Sequence, residues 1–185
     1  MAFEKLKAAL RDAAGKKRSA KQEYVQFLGS MLVKYPEIHT VAYDPGTYTM
    51  TISFAVTGEI TKQKLQYFAN LLIESIKTHR HLEGRRDQPR MEVRAEASKD
   101  TMILSVDRDI RDLYVAEIDL MADLMQDCFG DQLLVQEDTA LTDEFIAGQE
   151  ALFGNLLDTA RQTPPSERLS GYRDAGRVIV YNGRL

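Results

Sequence analysis

The sequence predicts an α+β protein whose antiparallel sheet is built from two tandem strand–strand–helix (ββα) units. Flanking N- and C-terminal helices are expected to pack mainly on one face of that sheet. Two observations predict this class. Apolar residues alternate with polar ones in short segments, as in half-buried strands, and recur every three or four residues in the segments between them. The composition, 44% apolar and 28% charged, is typical of a globular domain.

The chain begins with a basic segment, residues 1–18, that we interpret as a helix or an arm. A single domain is then predicted over residues 19–162. Its first helix starts at a capping box formed by Ser19 and Gln22 and stops before Pro36. Between these limits one helical face is apolar, with Tyr24, Phe27, Leu28, Met31 and Leu32.

The first ββα unit is predicted over about residues 38–80. A β-prone run at 38–43 leads into the turn Asp44–Pro45–Gly46, where the glycine is expected to take a positive φ. Strict alternation from Tyr48 to Val56 predicts a strand with one apolar face and one hydroxyl face. A helix is predicted from about Thr61 to Lys77.

The second ββα unit is predicted over about residues 90–131. It has strands at 91–97 and 102–106 joined at Ser98–Lys99–Asp100, and a helix from about Arg111 to Phe129 that Gly130 ends. An ungapped shift of 52 residues superimposes the apolar positions of the two units, pairing Ser53 with Ser105 for example. The match favours an internal duplication.

The remainder of the chain completes the predicted sheet. A short strand is predicted at 133–135, and a helix from Thr142 to about Ala160. Residues 163–185 are interpreted as a linker and a C-terminal strand, Arg177–Tyr181. We expect this strand to join the chain's own sheet or that of a neighbouring molecule.

Charge is unevenly distributed along the chain. Residues 1–22 carry seven basic and two acidic side chains, whereas residues 107–150 carry two basic and thirteen acidic ones. Such an asymmetry is informative about binding partners or self-association and not about the fold. The basic start has few aromatic residues for stacking on bases, so a nucleic-acid partner is not expected. No apolar run approaches the length of a membrane span, and the lone Cys128 favours a reducing compartment, the cytoplasm.

Two clusters are candidate binding surfaces. The first is a basic loop that could bind an anion or an acidic partner through His79, Arg80, His81, Arg85, Arg86 and Arg90. The second is an acidic face on the third predicted helix that could dock a basic segment through Asp112, Asp119, Asp123 and Asp127. Each also has an ordinary interpretation as a solvated, locally paired surface.

No catalytic, metal or cofactor site is predicted. Histidines two apart on a helix point away from each other, so His79 and His81 lack the geometry of a ligand pair. Cys128 falls in an apolar helical register and is expected to be inert core. The hydroxyl face of the second strand, Thr47 to Ser53, leaves an uncharacterised enzyme as a further alternative.

The order of elements over residues 20–130 is similar to that of the type III secretion chaperone-like fold, a family of small dimeric proteins that bind other proteins. The resemblance is one of topology and transfers no functional residue. The absence of catalytic constellations, the charge asymmetry and a terminal strand suited to augmentation predict a non-enzymatic, adaptor- or chaperone-like interaction or regulatory module that forms a homodimer and binds a protein partner. A small-ligand or anion-binding domain that uses the His79–Arg90 loop is the alternative.

Overall fold

The predicted α+β class is confirmed. The computed structural model describes residues 21–136 and 143–183, where six antiparallel strands form one sheet in the order β3-β4-β2-β1-β5-β6 with four helices. The basic segment 1–18 and the Ser19 cap lie outside the described residues. The elements are α1 (residues 21–34), β1 (Ile38–Asp44), β2 (Thr49–Thr57), α2 (Lys62–Leu82), β3 (Met91–Ser98), β4 (Thr101–Asp109), α3 (Val115–Phe129), α4 (Asp143–Gln162), β5 (Leu169–Asp174) and β6 (Arg177–Asn182).

The two central strands, β2 and β4, pair in a symmetric register. Ser53 lies opposite Ser105, and their Oγ atoms are 2.9 Å apart, so this one pair that the 52-residue shift equates lies at the centre of the register. The outer strands depart from that shift. Val41 faces Ile52, but Val93 faces Val106 rather than residue 104. The internal duplication stays a prediction.

This departure has its cause in the two hairpin turns. Residues 45–48 join β1 to β2, whereas only Lys99 and Asp100 join β3 to β4. The longer turn also differs from its prediction. The positive φ, 56°, belongs to Tyr48 rather than Gly46, whose amide instead donates to Asp44 Oδ1 at 2.9 Å.

The C-terminal region contains more structure than the sequence predicted. The linker predicted after residue 162 includes β5, which lies between β1 and β6, and the predicted last strand is present as β6. Gly171 allows β5 to lie close to β1 and α1, because a Cβ at this position would lie 3.1 Å from Val41 and 3.2 Å from Leu32. The strand predicted at 133–135 is reduced to a single bridge from Leu133 to Val56.

The core lies between the helices and one face of the sheet. Met50, Ile52, Phe54 and Val56 alternate toward the helices and are fully buried, as are Leu104 and Val106 of β4. On the opposite face of the central strands, polar groups are bonded to one another. Thr51 donates to Asp107 at 2.6 Å, and Arg94 binds the same carboxylate at 3.0 Å. None of the described helices combines the length and apolar content needed to cross a membrane.

Candidate functional site

Three charged side chains are buried beneath the loop that joins α2 to β3. Arg80 lies in the last turn of α2, Arg108 near the end of β4, and Glu117 in the first turn of α3; they are 1%, 1% and 0% exposed. With the half-buried Asp112 they form what we call the buried ion cluster. A buried charge is tolerated only where opposite charges and hydrogen bonds compensate it.

Glu117 is shared between the two arginines. Arg80 Nη1 donates to one carboxylate oxygen, Oε1, at 2.9 Å, and Arg108 Nε donates to the other, Oε2, at 3.2 Å. Arg108 Nη2 also bonds Oε2. Each guanidinium therefore has its own carboxylate oxygen, and the carboxylate fixes the separation of α2 from β4.

The remaining donors of the cluster hold the chain between the elements. Arg80 binds Asp112 Oδ1 at 2.9 Å and also bonds Asp87 in the loop. Arg108 donates to the backbone carbonyls of Arg90 at 2.6 Å and Asp112 at 2.9 Å. The cluster therefore fixes both ends of the α2–β3 loop and the start of α3.

The local electrostatics favour the charged forms of Arg80 and Asp87. Burial would lower the pKa of Arg80, but its hydrogen bonds to Asp112 and Glu117 outweigh burial, and the pKa is raised. The pKa of Asp87 is lowered, first by its own backbone amide and then by Arg80. The arginine stays charged at any pH at which the protein is folded.

These contacts revise two predicted site residues. Arg80 was expected in a basic binding loop, but it is buried and engaged by carboxylates. Asp112 was expected on the acidic face of the third helix, but α3 starts only at Val115, and Asp112 lies in a preceding 3₁₀ turn against Arg80. Both side chains are therefore engaged in the buried ion cluster, which joins α2, β4 and the start of α3.

The sequence contained a signal for the members that were missed. Arg108 continues the core-facing alternation of Leu104 and Val106, and Glu117 occurs four residues before the buried Met121. Charged residues at core positions on neighbouring elements indicate a buried ionic contact.

Beside the cluster is a cavity of about 290 Å³, which we call the Tyr114 cleft. It lies where the end of α2 and the following loop meet the start of α3 and the C-terminal half of α4. Its lining residues are His79, Glu83, Arg85, Tyr114, Val115, Ala116, Gly154, Leu157, Asp158 and Arg161.

Two guanidinium groups in this cleft stack on one aromatic ring. Arg85 Cζ lies 3.4 Å from the Tyr114 ring centroid, and Arg161 Cζ lies 4.3 Å from it. Arg161 pairs with Asp158, yet its Nε is buried and has no hydrogen-bond partner among the described residues. Arg85 has no carboxylate within salt-bridge distance in the described part of the chain.

Backbone geometry presents Arg85 to the cleft. α2 ends at Leu82, and two residues later Gly84, with a φ of 76°, turns the chain, so that the Arg85 amide donates to the Arg80 carbonyl at 2.9 Å. Opposite it, the amides of Val115 and Ala116 lie in the first turn of α3, where no intrahelical acceptor exists and no side chain caps the helix.

The other basic residues predicted for the site are dispersed. α2 continues through His79 and His81 to Leu82, so the two imidazoles point in different directions; His79 lines the cleft and His81 is exposed. Arg86 and Arg90 are exposed and do not line the cleft. Of the six predicted basic residues, the structure therefore places His79 and Arg85 at this cavity.

Only part of the predicted acidic face is exposed, because one of its aspartates is engaged in contacts with another helix. Asp119 accepts from Lys34 at 2.8 Å and from the Tyr35 hydroxyl at 2.7 Å, which joins α3 to α1. Asp123 and Asp127 are exposed. Asp123 lies at the rim of a groove of about 540 Å³ between α2 and α3, where Leu82 is 79% exposed.

The remaining candidate groups lack the geometry of a reactive site. Cys128 is half-buried against the core, and burial raises the pKa of its thiol, with Asp127 acting in the same direction. Within residues 21–136 and 143–183, no three histidine, cysteine or carboxylate side chains converge in a way that could hold a metal ion.

Comparisons with protein-family models, with curated proteins and with solved structures found no match to this chain. The similarity to the type III secretion chaperone-like fold stays a prediction drawn from the order of elements.

Proposed function

We propose that this chain is a non-catalytic binding module whose Tyr114 cleft takes a phosphate or carboxylate group of a small ligand. The observation that carries the proposal is the Arg85 guanidinium, held 3.4 Å from the Tyr114 ring and in no salt bridge with any carboxylate that the structure describes. A stacked guanidinium keeps its in-plane N–H donors available for a bidentate anion.

Further donors support this proposal. The buried Nε of Arg161 lacks a partner among the described residues, and Val115 and Ala116, whose amides have no intrahelical acceptor, line the same cavity. Glu83 and Asp158 also line the cleft and offset the two arginines. We therefore expect inorganic phosphate to bind weakly, with a dissociation constant of about 1 mM, and a physiological ligand to gain affinity from its other atoms.

The test is calorimetric titration with inorganic phosphate, and in parallel with acetate, at a constant ionic strength of about 0.1 M. We expect Arg85→Gln to weaken phosphate binding at least tenfold, because it removes the unpaired charge and its paired donors. Arg86→Gln is the matched control, since Arg86 is an exposed arginine of the same loop outside the cleft.

Two results would refute the proposal. One is no heat of binding for either anion up to about 10 mM, a range that covers affinities weaker than the expected one. The other is an equal loss in Arg85→Gln and Arg86→Gln, because that loss would reflect only the general charge of the loop. Stronger acetate than phosphate binding would support the cleft and identify a carboxylate ligand.

A protein-interaction module is the second candidate, and the α2–α3 groove favours it. Glu74, Asp119 and Asp123 line this groove with the exposed Leu82, a combination that suits a basic amphipathic helix. A synthetic peptide of residues 1–18, whose sequence is basic and amphipathic, serves as the probe. We expect Asp123→Lys to weaken peptide binding, measured by anisotropy, at least fivefold, and Asp131→Lys to leave the affinity unchanged. Equal losses in the two variants would exclude the groove as the peptide site.

A further inference from the structure

The two edges of the sheet differ in chemistry. The β3 edge carries Glu92, Arg94 and Glu96 at alternate positions, and charged side chains of this kind discourage a second molecule from pairing with an edge. The β6 edge instead has four successive uncharged residues, Val178 to Tyr181, all half-buried. No described strand pairs with the outer side of β6.

The hairpin geometry shows which backbone groups of β6 face outward. β5 and β6 are joined by Ala175 and Gly176, both with positive φ (47° and 75°), as in a two-residue type I′ turn. The residues that flank such a turn form a hydrogen-bonded pair, and such pairs alternate along an antiparallel ladder. The N–H and C=O groups of Val178 and Val180 therefore point away from β5.

An apolar groove runs alongside this edge. Val25, Gly29 and Val33 occur at four-residue intervals on α1, and with Val178 and Val180 they line a cavity of about 360 Å³. The other two lining residues, Gln26 and Ser30, are uncharged. Gly29 leaves this stripe open, since the nearest atom to a Cβ there would be Val178 Cγ1 at 4.0 Å.

We infer that the β6 edge and the α1 stripe form a homodimer interface, in which β6 of a second copy pairs antiparallel with β6 of the first. A two-fold axis perpendicular to the sheet makes the same patch self-complementary. Residues that lie opposite each other in an antiparallel pair point to the same face of the sheet. Val178 therefore lies opposite the partner's Val180. The two sheets become one continuous sheet, and the two α1 stripes meet above it.

Charge and size are compatible with a second copy as the occupant. In this pairing Arg177 comes beside the opposite end of the partner strand, where Glu167 accepts from Asn182 at 2.9 Å and is paired with Lys21 at 2.5 Å, so the charge there is already balanced. A six-residue edge is about 20 Å long, so each copy buries on the order of 500 Å², below the roughly 800 Å² per partner of a standard interface. We therefore expect dissociation in the micromolar range. The interface shares no residue with the Tyr114 cleft.

Sedimentation equilibrium of the full chain from about 1 to 300 µM tests the interface. We expect a monomer–dimer equilibrium that Val180→Lys weakens at least tenfold. Val93→Lys is the matched control, a half-buried valine on the same face of the opposite edge strand. Gly29→Lys separates the effect on folding from the effect on association, because lysine has a higher helix propensity than glycine and its side chain fills the stripe. We expect dimer affinity to fall at least tenfold, as in Val180→Lys, with no loss of stability.

Three outcomes would overturn the interface. The wild-type chain could remain a monomer over the whole concentration range. A dimer could form that neither Val180→Lys nor Gly29→Lys weakens. Val93→Lys could weaken the dimer as much as Val180→Lys does, which would place the contact elsewhere.

Discussion

Replacing Glu117 by glutamine is expected to lower the free energy of unfolding by about 3–5 kcal/mol. The substitution keeps the size of the side chain but removes the carboxylate that Arg80 and Arg108 share. Two buried guanidinium groups then face each other, and among the described residues only the half-buried Asp112 and the exposed Asp87 offset them. Urea unfolding followed by circular dichroism measures the change.

Asp123→Asn provides the matched control, because Asp123 is an exposed carboxylate on the same helix. Its effect should stay within about 0.5 kcal/mol. A loss below about 1 kcal/mol in Glu117→Gln would contradict the buried ion cluster, since a buried charge without its partner costs more than that.

Replacing all three buried charged residues should lower the free energy of unfolding far less than replacing Glu117 alone. The triple variant Arg80→Met, Arg108→Met, Glu117→Leu replaces charges by apolar groups of similar size and is expected to recover most of the stability that Glu117→Gln loses. The loop from Glu83 to Arg90 would then lose its anchors at Asp87 and at the Arg90 carbonyl. Phosphate binding by the Tyr114 cleft should therefore fall in a variant that is still folded.

The second large effect is expected at Phe153. Its ring is fully buried, stacks on Phe27 with centroids 5.4 Å apart, and meets Tyr35 edge-on at 5.8 Å. Phe153→Ala should lower the free energy of unfolding by about 3–5 kcal/mol, because the lost contacts leave a cavity between α4 and α1. The same helix carries Arg161, so anion affinity should fall with it.

The control for this substitution is Leu82→Ala, since Leu82 is apolar but 79% exposed. Its effect should stay within about 0.5 kcal/mol in the same urea series. If both alanine variants unfolded at the same urea concentration, Phe153 would not hold α4 on the core as described.

The fold could be predicted largely because its central strands have clear periodicity. Strict alternation in β2 and at 102–106 of β4 indicates one apolar face, and the hairpin turn at Lys99 and Asp100 follows from local residues. β5 was missed because Leu169–Asp174 has a glycine and only two large apolar or aromatic residues. Its place in the sheet depends on its pairing with β1, which local sequence does not reveal.

The candidate site was predicted only in part, for a similar reason. Sequence proximity grouped Arg80 with Arg85, although one is buried under the loop and the other lies over Tyr114. Arg161 lies far away in sequence and reaches the cleft only because α4 folds back against the start of α3. Long-range packing of this kind is set by tertiary contacts and not by spacing.

The most direct test of the proposed binding function is an NMR titration of the ¹⁵N-labelled full chain with inorganic phosphate. We expect the largest shifts at the backbone amides of Val115 and Ala116 and at the side-chain Nε–H of Arg85 and Arg161, because these donors surround the Tyr114 cleft. Shifts concentrated at Arg86 and Arg90 instead, or none up to about 10 mM phosphate, would contradict an anion site in this cleft.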